Sequence, residues 1–594
     1  MSQQAYLFIY PCEITPLKPT DIQDPEYFHK VIDCQYACPA HTPVPEYIRL
    51  IADGRYADAY MINWHSNVFP GVLGRICDRP CEPACRRGRV DKDPVAICRL
   101  KRVTADFKDD IRARLPKIPS DKNGKKIALI GGGPASLTVA HDLMPLGYQI
   151  DLYDEQAAAG GFMRSQVPSF RLPLEVLDEE ISYILDMGVT TTFNCRITSL
   201  KEFLQKGYDA VFIGTGAPRG RDMPNLPGRR EGGASIHVGI EWLAAVSYGH
   251  IEEIGTTTLV IGGGNTAMDC CRMARRLGGK DVRVVVRGPR SKMNASPWEI
   301  EDALREKIPI MENLTPLEFV VKDGRLIGMH FEKAGGGKEP VFVACDEVLL
   351  AVGQQNAFTW IEKDLGLKLK NRWVPVIDEV TLQSTLPQVF FGGDAAFGPR
   401  NVITAVALGH RAAISIDLFC RGKDLKDRPG PSVTLSSQKM GVHDWIYDSR
   451  VTDEARQHVP TVETVKSIED RMLEVELGFN KKSGKTEAER CLNCDVQTVF
   501  NFKECIECDA CVDICPTSCI NFLVNGDEED LRARLSMPAK NTSQALYVSD
   551  ILKTGRVMVK DENVCLHCGL CAERCPTAAW EMVKCFYACA KAGQ

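Results

Sequence analysis

The chain has 594 residues, 44% of them hydrophobic, and a formal net charge of −6 without a long run of one sign. This balance predicts several globular domains and argues against a nucleic-acid partner, which requires a strongly basic surface. No stretch approaches the roughly 18 apolar residues of a spanning helix, and the first residues include no basic leader. We therefore expect a cytoplasmic protein without a membrane span.

Cysteine is the unusual component, with 25 residues, and its distribution is uneven. Seven cysteines precede residue 100 and thirteen follow residue 490, many of them spaced Cys-x-x-Cys or Cys-x-x-x-Cys. In a large chain without a leader, this spacing favours metal ligation over disulfides. The candidate N-terminal ligands are Cys34, Cys38, Cys77, Cys81, Cys85 and Cys98.

The middle region begins with a predicted βαβ unit, "KKIALIGGGPASLTVAHDLMPLGYQIDLYDE". The first glycine of "GGG" allows a tight turn, and the third lets the backbone approach a pyrophosphate. The N-terminus of the following helix offers free N–H groups to the phosphates. A serine small enough for close helix–strand packing replaces the last fingerprint glycine, and an acid about 20 residues on can hold a ribose hydroxyl. An ordinary strand-to-helix turn is the alternative to a dinucleotide site. The candidate residues are Gly131, Gly133, Pro134, Ala135, Ser136, Asp154 and Glu155.

A second βαβ unit follows at "TTTLVIGGGNTAMDCCRMARRLGGKDVRVVVRG". Its second strand ends in arginine, which can meet the 2′-phosphate of NADP(H), whereas an acid there would hold a 2′-hydroxyl. The alternative is that this arginine is a solvated strand-end residue. The candidate residues are Gly262, Gly264, Asn265, Thr266, Ala267, Arg287 and Arg290.

Further along, "LPQVFFGGDAAFGPR" takes an apolar strand into Gly393 and Asp394. Here the chain resembles the FAD-dependent pyridine-nucleotide disulfide reductases. In that class the matching aspartate contacts the ribityl–phosphate region of the flavin; helix N-capping is the alternative role for Asp394. The resemblance implies that FAD binds the first βαβ unit and that the second unit is inserted into the FAD domain. "YDAVFIGTGA", which contains Gly216, and "DEVLLAVGQ" match the crossovers that close the two domains.

The C-terminal region contains two copies of a Cys-x₂-Cys-x₂-Cys-x₃-Cys-Pro run. In two-cluster ferredoxins the fourth cysteine of each run ligates the other cluster, which predicts two crossed [4Fe–4S] sites. Zinc is the competing metal, but zinc sites favour separated pairs of ligands. The predicted sets are Cys505, Cys508, Cys511 and Cys575, and Cys565, Cys568, Cys571 and Cys515.

Two further cysteine pairs, Cys491 with Cys494 and Cys585 with Cys589, lie outside these runs. Together they could hold a metal, but ordinary buried or exposed thiols are the preferred interpretation.

The segment before Cys491 contains "SIEDRMLEVELGF", which predicts a short helix in a connector.

Several motifs in one order resemble the small (β) subunit of glutamate synthase and its relatives, over roughly residues 30–495. They are "NVFPGVLGRICDRPCEPAC", "VPSFRLP" after Gly160–Gly161, "GGGNTAMDC" and "EAERCLNC". The resemblance adds Gly161 and Arg171 to the candidate flavin residues. Members that use NADPH have Tyr-Arg-Arg where this chain has Val286, Arg287 and Gly288. The resemblance therefore favours NAD(H) over NADP(H).

The same resemblance, extended to dihydropyrimidine dehydrogenase, implies how the N-terminal cysteines divide. Cys38, Cys77, Cys81 and Cys98 would form one complete cluster set. Cys34 and Cys85 would belong to a second set that lacks two ligands. Cys12 is a candidate for one of these and a non-cysteine residue for the other, so one or two N-terminal clusters are expected.

With its added ferredoxin module, the architecture resembles the DsrL type, which accompanies reverse dissimilatory sulfite reductase in sulfur-oxidising bacteria. This implies an NAD(P)H:acceptor oxidoreductase in which FAD accepts hydride, clusters carry single electrons, and sulfite reductase is the partner. Such chemistry needs no general base, and we assign no catalytic acid or base. A glutamate synthase small subunit and a non-catalytic iron–sulfur sensor or scaffold are the alternatives. A homodimer is left open.

The expected fold class is α/β, with two Rossmann-like domains between two iron–sulfur domains. The boundaries are a helical iron–sulfur domain at 1–120, an FAD domain at 121–236 and 376–430, an NAD(P) domain at 237–375, a connector at 431–490, and a 2[4Fe–4S] ferredoxin-like domain at 491–594.

Overall fold

The computed structural model describes residues 19–334, 339–370, 373–437, 452–524 and 546–594. Cys12, the candidate ligand for a second N-terminal cluster, lies outside these ranges.

The N-terminal domain is helical, as predicted. Close packing of its fifth and seventh helices depends on Gly74, where a Cβ atom would lie 2.6 Å from the backbone nitrogen of Arg102. The helices are α1 (Pro25–Val31), α2 (Asp33–Ala37), α3 (Val44–Ala52), α4 (Tyr56–Asn67), α5 (Pro70–Ile76), α6 (Cys81–Ala84) and α7 (Ile97–Phe107).

The first βαβ unit forms where the glycine motif predicts it. It begins a parallel sheet whose strands β1 and β4 are almost fully buried. The elements are β1 (Lys126–Ile130), α8 (Pro134–Leu143), β2 (Gln149–Tyr153), α9 (Phe162–Ser165), α10 (Leu174–Leu185), β3 (Thr190–Thr192), α11 (Leu200–Leu204) and β4 (Ala210–Ile213).

The second nucleotide domain follows a short strand, β5 (Arg219–Gly220), and the chain leaves it through β14 (Gln354–Gln355), which pairs with β5. Its parallel sheet has the order β6-β13-β7-β8-β9, and β10–β12 form a separate antiparallel sheet. The elements are β6 (Ile236–Val238), α12 (Gly239–Ser247), β7 (Thr257–Ile261), α13 (Asn265–Arg276), β8 (Asp281–Val285), α14 (Pro297–Arg305), β9 (Ile310–Met311), β10 (Leu314–Lys322), β11 (Arg325–Lys333), β12 (Val341–Ala344) and β13 (Glu347–Leu350).

The chain then returns to the first sheet and completes it in the parallel order β17-β4-β1-β2-β3. The second nucleotide domain is therefore inserted into the first, as the resemblance implied. The returning elements are β15 (Leu369–Lys370), β16 (Val374–Pro375), β17 (Val389–Phe391), α15 (Asp394–Phe397) and α16 (Val402–Cys420).

Helix α16 contradicts the expectation that no stretch reaches the length and apolarity of a membrane span. It has 19 residues and a mean hydropathy of 1.5 over its most apolar window. The helix packs against α8 and most of it is buried. This is the placement of a core helix in a globular domain.

The C-terminal region differs from the predicted connector in two ways. β18 (Ser432–Ser437) pairs with β23 (Trp580–Ala588) and so belongs to a sheet of the ferredoxin-like module. The predicted helix over 467–479 is wrong beyond its first turn, because α17 (Thr464–Glu469) ends where Asp470 adopts an extended conformation. The remaining elements are α18 (Lys481–Ala488), β19 (Val496–Phe500), α19 (Ala510–Ile514), β20 (Ile520–Leu523), β21 (Tyr547–Val548), β22 (Val557–Lys560), α20 (Leu570–Arg574) and β23 (Trp580–Ala588).

A buried ion-pair network joins the two nucleotide domains. Arg171 of the flavin domain lies 2.6 Å from Asp269 and 2.6 Å from Glu299 of the inserted domain. Arg272 continues the network to Glu306 at 2.9 Å. Burial and the charge of neighbouring Glu299 raise the pKa of Asp269 to about 6, against the lowering effect of Arg171.

We expect Arg171→Met to lower the free energy of unfolding by about 3–5 kcal/mol, because it removes the cation 2.6 Å from buried Asp269 and leaves Glu299 with the longer contact to Arg272, at 3.4 Å. The matched control is Arg305→Gln, which removes an arginine that is 51% exposed and should change stability by less than about 0.5 kcal/mol. Urea denaturation followed by circular dichroism measures both. Equal stability losses in the two variants would contradict a special role for the network.

Candidate functional site

The first nucleotide cavity lies at the C-terminal end of β1. Gly131 has a φ of 93°, and a Cβ atom there would lie 2.7 Å from the carbonyl oxygen of Gly214. Only glycine fits this turn, which brings the backbone and the N-terminus of α8 to the cavity. The predicted residues that line it are Gly131, Gly133, Pro134, Ala135, Asp154, Glu155, Gly161, Gly216, Gly393 and Asp394.

The two acids after β2 have different roles. Asp154 is buried and accepts hydrogen bonds from the N–H groups of Gly132, at 2.5 Å, and Gln156, at 2.8 Å. It therefore holds the glycine turn in shape. Glu155 is exposed at the rim of the cavity, with Arg196 at 3.7 Å. Glu155 is thus the better placed of the two to accept a ribose hydroxyl.

Ser136 and Arg171 were candidate flavin residues, and the structure places neither among the residues that line the cavity. Ser136 is fully buried against Gly214, where the small side chain permits close helix–strand packing. Arg171 is occupied by Asp269 and Glu299 of the inserted domain. Both residues support the geometry of the site without lining it.

Asp394 is the first residue of α15, and its carboxylate accepts the N–H of Arg400 at 2.9 Å. The alternative role as an N-cap is not seen, because Gly393 occupies that position. Burial raises the pKa of Asp394 to about 7, against the lowering effect of the Arg400 N–H. The position at the cavity wall suits the contact with the flavin chain that the resemblance implied.

The second nucleotide cavity is lined by Gly262, Gly264, Thr266 and Arg287 among the predicted residues. Lys292 also lines it and was missed, because it lies beyond the second strand in a turn without a recognisable motif.

Three of the predicted coenzyme residues lie elsewhere. The amide oxygen of Asn265 accepts the N–H of Ser296 at 2.8 Å, and Ala267 is buried in the domain core. Arg290 is exposed, and its N–H donates to Glu312 at 2.7 Å. Asn265 and Ala267 therefore shape the turn, whereas Arg290 does not line the cavity.

The β5–β14 ribbon connects the two cavities. Gln354 lines the flavin cavity, whereas Arg221 and Gly353 line the coenzyme cavity. The Arg221 N–H donates to the Gly353 carbonyl at 2.9 Å, which holds the two strands together. Neighbouring residues of one ribbon thus line both cavities, and hydride transfer between two bound cofactors requires such adjacent sites.

The first N-terminal cysteine set comes together as the resemblance implied. Burial raises the pKa of the Cys77 thiol to about 12, nearby Lys101 lowers it, and neighbouring Cys98 and Cys38 raise it again. The Lys101 side chain is buried, and its pKa is raised by these thiols and by Cys81, despite the opposing effect of burial. Four thiols around one ammonium group suit a cluster whose sulfur ligands carry negative charge.

Cys34 and Cys85 also lie close together. Cys491 and Cys494, from the start of the predicted C-terminal domain, lie beside them. Burial raises the pKa of the Cys34 thiol well above its usual value, and neighbouring Cys85, Cys494 and Cys491 raise it further. Cys491 and Cys494 thus lie beside the two N-terminal cysteines left over from the first set. Cys585 lies in β23 beside the same segment, where its backbone N–H donates to the Asp495 carbonyl at 2.7 Å and its thiol donates to the Val583 carbonyl at 3.8 Å.

The C-terminal runs cross as predicted. Burial raises the pKa of Cys505 and the Glu507 N–H lowers it, while the Glu507 carboxylate, Cys575 from the other run and Cys508 raise it further. Burial likewise raises the pKa of Cys568, with contributions from Cys565 and, across the runs, Cys515. The four-thiol sets suit two [4Fe–4S] clusters, which FAD-type flavoproteins use for single-electron transfer.

Comparison with known proteins agrees with this arrangement. Residues 125–409 match the pyridine nucleotide-disulphide oxidoreductase family. Residues 29–112 match the 4Fe–4S cluster domain II of dihydropyrimidine dehydrogenase, and residues 504–579 match a 4Fe–4S dicluster domain. The NADP(+)-dependent formate dehydrogenase subunit beta of Moorella thermoacetica is 35% identical over 78% of this chain and 70% of its own. The chain belongs to the pyridine nucleotide-disulphide oxidoreductases that carry 4Fe–4S domains.

Other relatives in this family differ in their coenzyme. The NADPH-Fe(3+) oxidoreductase subunit beta of Geobacter sulfurreducens (strain DL-1 / KN400) is 31% identical over 80% of this chain and 77% of its own. The NAD-dependent dihydropyrimidine dehydrogenase subunit PreT of Escherichia coli (strain K12) is 31% identical over 66% and 91%. The family therefore does not decide between NAD(H) and NADP(H).

The protein is an NAD(P)H-dependent flavin and iron–sulfur oxidoreductase. Among the residues that the structure describes, Cys195 is the single cysteine that lines the flavin cavity. A redox-active dithiol that accepts electrons from the flavin needs two cysteines. The N-terminal and C-terminal cysteine sets are therefore the more suitable route for electrons that leave the flavin.

Proposed function

We propose that the protein transfers electrons between a nicotinamide coenzyme and a docked redox protein, through FAD and a continuous series of cluster sites. When bound, FAD exchanges hydride and the clusters exchange single electrons. The protein contributes the order and spacing of these sites.

The observation that carries the proposal is the division of the cysteines between two hydrophobic cores. Cys38, Cys77 and Cys98 belong to the core of the flavin domain. Cys34 and Cys81 belong to a core shared with the C-terminal module, which includes Cys565. The N-terminal domain therefore packs against both the flavin domain and the ferredoxin-like module.

The C-terminal module supplies the outer end of the series. Cys508 is exposed, whereas five of the six candidate N-terminal ligands are buried and the sixth, Cys85, is partly buried. Ile506, beside it, is 58% exposed, and Ile514 is exposed nearby in sequence. An exposed ligand with apolar neighbours suits close approach of a partner protein.

The partner that we propose is dissimilatory sulfite reductase, because the added ferredoxin module matches the architecture of the DsrL type. In a sulfur oxidiser the net flow would run from the partner to NAD⁺, and the complex would be cytoplasmic. The names of the relatives offer other partners, since those proteins are subunits of formate dehydrogenase and Fe(3+) oxidoreductase complexes. A glutamate synthase amidotransferase subunit is the further alternative.

Affinity purification of the full chain from its native cells, with mass spectrometry of the co-purifying subunits, tests the partner. We expect sulfite reductase subunits in stoichiometric amounts. Recovery of a formate dehydrogenase or amidotransferase subunit instead would overturn the assignment. A separate assay of NAD(P)H-dependent dye reduction tests the chemistry, and its absence in the FAD-loaded protein would favour a sensor or scaffold.

A further inference from the structure

The Cys491–Cys494 turn has the backbone conformation of the cluster-binding turns. Its third residue, Asn493, has a φ of 49°, in the left-handed region. The third residue of each ferredoxin turn, Glu507 or His567, has a φ of 56° or 55°. Left-handed conformations are uncommon for residues with a side chain, so three equivalent occurrences indicate one shared type of turn.

This conformation directs an N–H group at the first sulfur of the turn. Glu507 N–H donates to Cys505 Sγ at 3.3 Å, and His567 N–H donates to Cys565 Sγ at 3.4 Å. In the Cys491 turn, burial raises the pKa of the thiol and the Asn493 N–H lowers it. Hydrogen bonds to ligating sulfurs are a recurrent feature of iron–sulfur sites.

Two short helices place the partner cysteines beside this turn. Cys34 lies in α2 and Cys38 directly follows it, four residues later. Cys81 begins α6 and Cys85 directly follows it, again four residues later. The two helices pack together, so each gives one cysteine to the Cys38 set and one to a second site.

The segment that carries the turn is fixed to the N-terminal domain on both sides. Arg490 is fully buried, donates to the Asp93 carbonyl at 2.8 Å and lies 3.1 Å from the Asp91 carboxylate. On the other side, Arg49 donates to the Asn493 side chain at 2.9 Å and pairs with Asp495 at 2.5 Å. The turn therefore belongs to the N-terminal domain in space, although it follows the connector in sequence.

We propose that Cys34, Cys85, Cys491 and Cys494 ligate a further [4Fe–4S] cluster, which joins the N-terminal domain to the C-terminal module. All four are free thiols grouped at one place, three of them in or against the core shared with the C-terminal module. Four thiolates are also the ligands of structural zinc. The ferredoxin-type turn and the adjacent cluster set favour iron–sulfur over zinc.

The position of this site gives it a role in the electron route, an argument that rests on the proposed function. Arg86, next to Cys85, is fully buried between the site and the ferredoxin-like module. It donates to the carbonyl oxygens of Cys565, at 2.8 Å, and Val31, at 2.9 Å. The site thus lies between the Cys38 set and the Cys565 set. We therefore place it between the inner and outer clusters of the electron route.

The test compares anaerobically purified wild-type protein with Cys491→Ala/Cys494→Ala. We expect the double variant to lose about four iron and four sulfide per chain, to keep its FAD, and to keep reduction of the flavin by NADH. Cys585→Ala/Cys420→Ala is the matched control, because neither cysteine belongs to a cluster set, and it should keep the wild-type iron content. Cys85→Ala tests the same site from the N-terminal domain and should cause the same loss.

Unchanged iron in both cysteine variants would overturn the proposal, as would one equivalent of zinc in place of the lost iron. A disulfide between Cys491 and Cys494 in the reconstituted wild type, detected by mass spectrometry, would also overturn it. If the double variant fails to fold, Cys85→Ala decides the matter by its iron content. These readouts do not involve a partner, so a wrong partner assignment leaves the cluster proposal intact.

Discussion

Cys511→Ala is expected to abolish electron transfer to the acceptor while the flavin is still reduced rapidly by NADH. Cys511 is buried in the C-terminal module, close to Cys505 and Cys575 of its own set. It is remote in sequence and domain from both nucleotide cavities, so hydride transfer should not depend on it. Loss of a group that hydrogen-bonds to a metal ligand already lowers metal affinity or activity by about 10–100-fold. Loss of a ligand itself should therefore lower the rate of acceptor reduction by about 100-fold or more.

Cys519→Ala is the matched control for this variant. Cys519 is a buried thiol outside both predicted cluster sets, 3.5 Å from Cys515 Sγ, and alanine occupies the equivalent position in the other run, at Ala579. We expect this variant to keep both C-terminal clusters. Stopped-flow absorbance follows flavin reduction, and electron paramagnetic resonance follows the clusters. Flavin reduction slowed as severely as acceptor reduction in Cys511→Ala would contradict the order of the route.

Patterns of short range predicted most of the fold. The turn at Gly131 and the second glycine turn at Gly262 specify their strands and helices within about 30 residues each, because steric limits on the backbone act locally. The proximity of Cys575 to the first run and of Cys515 to the second was likewise predicted from local repeats. These features required no knowledge of tertiary packing.

Contacts between distant segments were the part that the sequence did not reveal. Cys491 and Cys494 reach the N-terminal domain because Arg490 is held there. One of its contacts is a hydrogen bond from Arg87 to the Arg490 carbonyl, which joins residues 403 positions apart in the sequence. Arg171 was assigned to the flavin, but its guanidinium is used by buried carboxylates of the inserted domain. A motif indicates that a residue type is needed, whereas only packing determines which group it meets.

The end of β8 governs the choice of coenzyme, and we predict that NADH is preferred over NADPH. A 2′-phosphate needs charge-assisted partners, usually bidentate arginine. Arg287 and Lys292 line the cavity, but both are exposed, and Gly288 supplies no side chain. Each hydrogen bond to a charged group contributes about 1.5–3 kcal/mol. The absence of one arginine should therefore lower the preference for NADPH over NADH by about tenfold or more.

Gly288→Arg should therefore raise the ratio of kcat/KM for NADPH to that for NADH by about tenfold or more. A Cβ atom at Gly288 would have no heavy atom within 4 Å, and the backbone there is not left-handed, so a side chain can be added without strain. Gly288→Gln is the matched control, because it adds length without charge and should leave the ratio close to that of the wild type. Steady-state dye reduction with both coenzymes measures the three proteins. A wild-type preference for NADPH would show that Arg287 and Lys292 suffice for the 2′-phosphate, and an equal shift in the glutamine variant would show that charge is not the cause.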